Sequence, residues 1–181
     1  MIWLIMHKIK AQPGRVLNIN ADTFNSNKIV LQILGYNNEC TKNKNDWFVL
    51  SIDAKEQALD LDILIELKQG HNLKFKLLVN GKTNGFSVVA KIKARLFDNT
   101  CLKIFTDTNI RNGVNTGYIE FKERILLLGK DSVLESVPKF GLLPAGIEQI
   151  HSMRVFSFSD KELFYLASRG FGRRQALRLA A

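Results

Sequence analysis

Two cysteines in 181 residues, Cys40 and Cys101, with no CxxC pair, leave neither a disulfide framework nor a zinc site of standard spacing. A reducing, cytoplasmic setting is expected. Proline is as scarce, at Pro13, Pro138 and Pro144, and histidine is confined to His7, His71 and His151. Neither G-x-S-x-G, H-E-x-x-H nor a Walker A loop is present, so no enzymatic signature stands out and a non-catalytic protein is expected. The apolar start, Ile2-Trp3-Leu4-Ile5-Met6, meets His7 and Lys8 after five residues. It is too short for the apolar region of a signal peptide and far too short to span a bilayer. No exact repeat and no linker-like shift in composition divides the chain.

What is present is an ordinary globular composition with a basic excess. Apolar residues make up 46% and charged residues 24%, and a chain of this length buries roughly two-thirds of its unfolded surface without a disulfide or metal. The net charge is +9, from 26 Lys and Arg against 17 Asp and Glu, which can steer a protein toward anionic partners. Lys74, Lys76, Lys91, Lys93 and Arg95 read as one exposed basic face. A basic β-rich nucleic-acid binder is therefore an alternative function. No recognition motif accompanies the charge and no aromatics interleave with those lysines, so nucleic acid is not the expected partner.

From Lys28 to about Phe158 the sequence reads as strands. Ile29–Leu34 and Trp47–Ile52 are short β-branched runs. Leu59, Leu61, Ile63 and Ile65 alternate with polar positions, as do Leu73, Phe75 and Leu77. Phe86, Val88, Ala90, Ile92, Ala94 and Leu96 face one way while Lys91, Lys93 and Arg95 face the other. Period two means one face buried and one wet. Turn signals fall at Gln69–Asn72, Asn80-Gly81-Lys82, Asp98-Asn99 and Asn112-Gly113, and Gly35–Asp46 reads as a loop. The class is all-β, and periodicity alone does not separate a sandwich from a β-solenoid.

The pattern changes at Ser159. Ser159-Asp160-Lys161-Glu162 has the form of a capping box, Leu163, Phe164, Leu166 and Ala167 form an apolar helical stripe, and Gly170 supplies a C-terminal stop. A second helix is expected from Arg173 to Ala181. The organisation is then a β core over residues 1–158 and a helical segment over residues 159–181. Gly170-Phe171-Gly172-Arg173-Arg174 reads as the turn between helices. It lacks the lysine and Ser/Thr of a phosphate loop.

Leu163-Phe164-Tyr165-Leu166-Ala167-Ser168-Arg169-Gly170 resembles the L-F-Y-L-x-S-R-G helix of the SufB/SufD family of iron–sulfur cluster assembly proteins. His151 lies fourteen residues before Tyr165, as a histidine does in that family, and Arg124–Leu128 resembles its R-x-L-L-L strand. Pro138 falls where the family has a proline before its next strand. The resemblance runs without a gap from about Arg124 to Ala181. It implies a mainly β fold, a right-handed parallel β-helix with a short C-terminal helical hairpin. It also implies a non-catalytic scaffold function. Counting back from His151 places the interface cysteine of the SufB branch at or near Glu123, where this chain has none, so the closer likeness is to SufD.

The implied partners are a SufB-like subunit, joined through the strands around Arg124 to Phe158, and a SufC-like ATPase at the helical tail. A homodimer is a further arrangement, and a degenerate structural relative of the family a further reading. The implied cofactor is transient, iron or an iron–sulfur cluster at a subunit interface, with none tightly bound. His151 is the expected interface residue and candidate metal ligand, because neutral imidazole ligates iron; the plainer alternative is a strand histidine hydrogen-bonded to backbone. Phe164, Tyr165 and Arg169 are the expected partner-binding residues. Glu123, between Lys122 and Arg124, reads as a solvated carboxylate. Cys101 reads as a small buried residue, and Cys40 as an exposed thiol in a loop.

Overall fold

Runs of period two can close a core only if a second sheet covers their apolar face, and the chain provides that sheet itself. The computed structural model describes residues 5–12, 14–20, 28–35, 47–129, 131–172 and 175. Strands β1 (Ile5–Lys10), β3 (Lys28–Leu34), β5 (Ala58–Leu67), β7 (Phe86–Leu96), β9 (Thr116–Leu127) and β11 (Gly146–Ser157) form one sheet in that order. Strands β2 (Val16–Asn20), β4 (Phe48–Ala54), β6 (Asn72–Gly81), β8 (Cys101–Ile110) and β10 (Val133–Pro138) form the other. Every pairing is parallel. Successive strands alternate between sheets, so Ala90 lies beside Phe121 and Phe121 beside His151, a turn of about 30 residues. This is a parallel β-solenoid, and it resolves the choice that periodicity left open.

The inward rows of both sheets meet in one core. Ile29, Leu61, Ala90 and Phe121 stack in register from one sheet, and Leu50, Leu77, Phe48 and Phe75 face them from the other; all are buried. Phe48 and Phe75 stack with ring centroids 6.2 Å apart. The turns stack as well: Lys82 N donates to the Ala54 carbonyl at 2.8 Å and Arg111 N to that of Gly81 at 3.0 Å. Gly70, Asn99 and Gly113 carry positive φ at three of the expected turns. Asn80-Gly81 does not turn. It ends β6, where the buried Asn80 Nδ2 donates to Ser51 Oγ and Asp53 Oδ1, both at 2.9 Å, and the turn follows with Gly85 at positive φ. A side-chain amide that finds partners on the neighbouring strand gains more from extending the ladder than from bending it.

Helix α1 (Asp160–Ser168) starts as the sequence indicates. The Ser159 side chain accepts from Glu162 N, and the Glu162 carboxylate accepts from Ser159 N at 2.8 Å. It ends in a Schellman motif: Gly170 N donates to the Ala167 carbonyl at 3.0 Å and Phe171 N to that of Leu166 at 3.1 Å, with Gly170 at φ 82°. The second helix expected over Arg173–Ala181 falls almost wholly outside the described residues. Among the described residues the solenoid is followed by one short helix, and the expected hairpin is not shown. No helix among the described residues is long and apolar enough to cross a membrane. The loop expected over Gly35–Asp46 and the thiol of Cys40 lie, beyond Gly35, outside the described residues.

Candidate functional site at the open end of the solenoid

In a solenoid each turn is covered by the next, and the last turn has no later strand of the stack to cover it. Here β10 and β11 are the edge strands at that end. The inward row Leu31, Ile63, Ile92 runs in register to Glu123 and then Met153, and three aliphatic side chains give way to a carboxylate. Glu123 alternates with outward Lys122 and Arg124 and is 3% exposed. It is therefore not the solvated carboxylate expected from its charged neighbours. In a strand, adjacent residues point to opposite faces, so those neighbours carry no information about where Glu123 goes.

His151 stands beside Phe121 on the edge strand and also points inward. Its Nε2 lies 3.0 Å from Glu123 Oε1, while Ser136 on β10 donates its hydroxyl to Glu123 Oε2 at 2.8 Å. Both carboxylate oxygens are thus engaged, as a buried carboxylate requires. A carboxylate only accepts, so with Glu123 ionised the imidazole carries its proton on Nε2 and donates it. The plainer alternative for His151, a bond to backbone, gives way to this side-chain pair. Phe140, between β10 and β11, sets its ring edge-on to the imidazole at 6.3 Å between centroids and is itself 59% exposed. Beyond the pair, Met153 and Val155 continue inward-facing rows yet remain exposed, as do Val137, Phe140 and Leu142.

The sequence singled out His151 as a candidate and did not place Glu123, Ser136 and Phe140 around it. The signal for Glu123 was available. Ile119, Phe121, Glu123 and Ile125 are alternate positions of one strand, and an acid within such an apolar row marks a buried carboxylate.

The expected partner-binding residues sit elsewhere, on and just after α1. Phe164 and Tyr165 are 77% and 56% exposed, so neither packs into the β core. Arg169 lays its guanidinium over the Tyr165 ring at 5.3 Å. Cys101 is buried at the start of β8. The single basic face is not formed. Lys74 and Lys76 lie on β6, whereas Lys91, Lys93 and Arg95 lie on β7 of the other sheet. Lys76 is 3.8 Å from Asp107 and over the Phe105 ring, and Lys91 is 2.8 Å from Asp60. Charges divided between two sheets, with Lys76 and Lys91 drawn to acids, do not make a continuous track for a phosphate backbone.

No curated protein matches the chain. Residues 107–181, from the later part of β8 through both edge strands and α1, match the family model of the SUF system FeS cluster assembly, SufBD core domain.

Proposed function

We propose that the chain is a SufD-like, non-catalytic scaffold subunit for iron–sulfur cluster assembly, joined at its open end to a SufB-like subunit. The observation that carries this reading is the Glu123–His151 pair. Glu123, at or near the position that the resemblance assigns to the SufB-branch cysteine, lies within hydrogen-bond distance of His151 across β9 and β11. Two positions 28 residues apart are brought together one turn from the end of the solenoid. The family match over residues 107–181 covers both of them.

The edge supports the docking mode. The outer edges of β10 and β11 present unpaired backbone donors and acceptors, flanked by exposed Val133, Val137, Ile150 and Val155. A partner strand added there continues the ladder and covers the apolar side chains in the same step. Iron and sulfide are cargo in this reading. His151 contributes a neutral imidazole donor, Glu123 orients it, and displacement of Phe140 exposes it to the interface. The exposed Phe164 and Tyr165, with Arg169, form the surface for a SufC-like ATPase; aromatic residues and arginine are the types enriched in such contacts.

Anaerobic reconstitution of the complex tests the role of His151. His151→Gln keeps a donor for Glu123 but removes the imidazole. It is expected to lower cluster yield several-fold while leaving the denaturation midpoint within about 1 kcal/mol of wild type. Wild-type yield from a folded His151→Gln protein removes His151 from the assembly step.

A further inference from the structure

The outer face of the β1–β3–β5–β7–β9–β11 sheet treats charge in two ways. Along one half, acids and bases pair: Lys28 with Asp62 at 3.3 Å and Lys91 with Asp60 at 2.8 Å across strands, and Lys122 with Glu120 at 2.8 Å along β9. Tyr118 donates its hydroxyl to the same Glu120 at 3.1 Å. Toward the C-terminal ends of these strands the pairing stops. Lys93, Arg95 and Arg124 line a groove of about 140 Å³ that crosses β3, β5, β7, β9 and β11. Among the described residues no carboxylate lies within ion-pair distance of any of the three. Lys93 stands directly beside Arg124, and Arg124 directly beside Arg154. Like charges in register on one sheet face repel, and a sheet that pairs its charges elsewhere leaves this row uncompensated.

The groove also has an apolar floor. Leu126 points outward with Lys122 and Arg124 yet is only 6% exposed, and Leu64 is half-buried beside Lys93. Phe156 forms one wall, with the Arg124 guanidinium 5.1 Å from its ring centroid. Glu66, the one acid in the lining, stands directly beside Arg95 in register.

We propose that this groove binds a small organic anion whose charged group is a phosphate or a carboxylate. Arg95, Arg124 and Lys93 hold that group, for which guanidinium is the suited donor. The apolar or aromatic body lies over Leu126 against Phe156, its register neighbour on β11. The site is distinct from the Glu123–His151 pair, which faces the interior of the solenoid, and it does not depend on the scaffold reading. A nucleic-acid strand fits less well, because Phe156 is the single aromatic in the lining and a strand needs successive stacking platforms.

Titration of the full chain, followed by NMR of leucine methyl and phenylalanine ring signals, tests the proposal with phenyl phosphate, benzoate, inorganic phosphate and a short oligothymidylate. The expected result is saturable shifts of Leu126 and Phe156 with phenyl phosphate or benzoate. The tighter of the two identifies the charged group. Inorganic phosphate, which lacks the body, is expected to bind about tenfold more weakly, and Arg95→Gln with Arg124→Gln to weaken the organic anion by about tenfold or more. Lys76→Gln, on the other sheet, is expected to change nothing. Four results each overturn the proposal: no saturable shift at the groove, equal affinity in the arginine variants, inorganic phosphate as tight as phenyl phosphate (an adventitious ion only), or oligothymidylate binding while neither small anion does.

Discussion

Glu123 and His151 behave as a unit, and this governs what single substitutions there can report. Glu123 has no exposed side-chain surface and His151 keeps 10%. Removing one member leaves the other buried without its partner, which typically costs about 3–5 kcal/mol, whereas replacing both by apolar side chains of similar size is often nearly neutral. Glu123→Ala is therefore expected to destabilise the protein by about 3 kcal/mol or more in urea unfolding, and Glu123→Leu with His151→Leu to stay within about 1–2 kcal/mol of wild type. Equal losses for the two variants would contradict the pairing. His151→Ala mixes loss of function with loss of stability for the same reason, and His151→Gln is the cleaner probe. His151 stood out as a candidate through its spacing from the helix motif. Its environment was not, because Ser136 and Phe140 reach it from β10 and the segment after it, and nothing local in the sequence states that these residues come together.

At the scale of elements, local chemistry was the most readable part. The box Ser159–Glu162 depends only on four consecutive residues, and it forms as expected. It also has a pH signature. Hydrogen bonds from the Ser159 side chain and then from its backbone N–H hold the Glu162 carboxyl below its ordinary value of 4.5. A depressed carboxyl pKa stabilises the fold above the unfolded value, and that contribution is lost as pH falls through the folded one. Amide protection in the first turn of α1, followed by hydrogen exchange, is expected to drop as pH falls below 4.5. In Glu162→Gln, which keeps an acceptor but does not titrate, this dependence is expected to vanish. An unchanged profile in the variant would assign the loss to another group. The long strands β5 and β7 were equally legible, since their alternation is strict. Strand β10 was not: Val133–Pro138 is short, and as an edge strand its alternation runs between exposed and half-buried rather than between exposed and buried. Asn80-Gly81 misled because a turn-forming dipeptide was read without the Ser51 and Asp53 side chains that hold it extended.

For the whole molecule, the difference between a sandwich and a solenoid lay in connectivity that no period reveals. Two sheets with alternating faces give the same pattern whether the strands run antiparallel or parallel, and the repeat of about 30 residues is carried by shape rather than by identity of residues. The consequence of the solenoid is directional. One core runs the length of the stack, and at β10 and β11 it ends in exposed Met153, Val155, Phe140 and Leu142 around a buried polar pair. An uncovered end of that composition invites strand addition. The measurement that bears on this most directly is co-purification of the chain with the SufB-like and SufC-like proteins of the same genome, with Val155→Glu alongside wild type. The expected result is a stoichiometric complex with the SufB-like subunit that survives moderate salt and is lost in Val155→Glu. Failure of the folded wild-type chain to bind a folded SufB-like partner, or binding that Val155→Glu leaves intact, would contradict a scaffold that pairs through its open end.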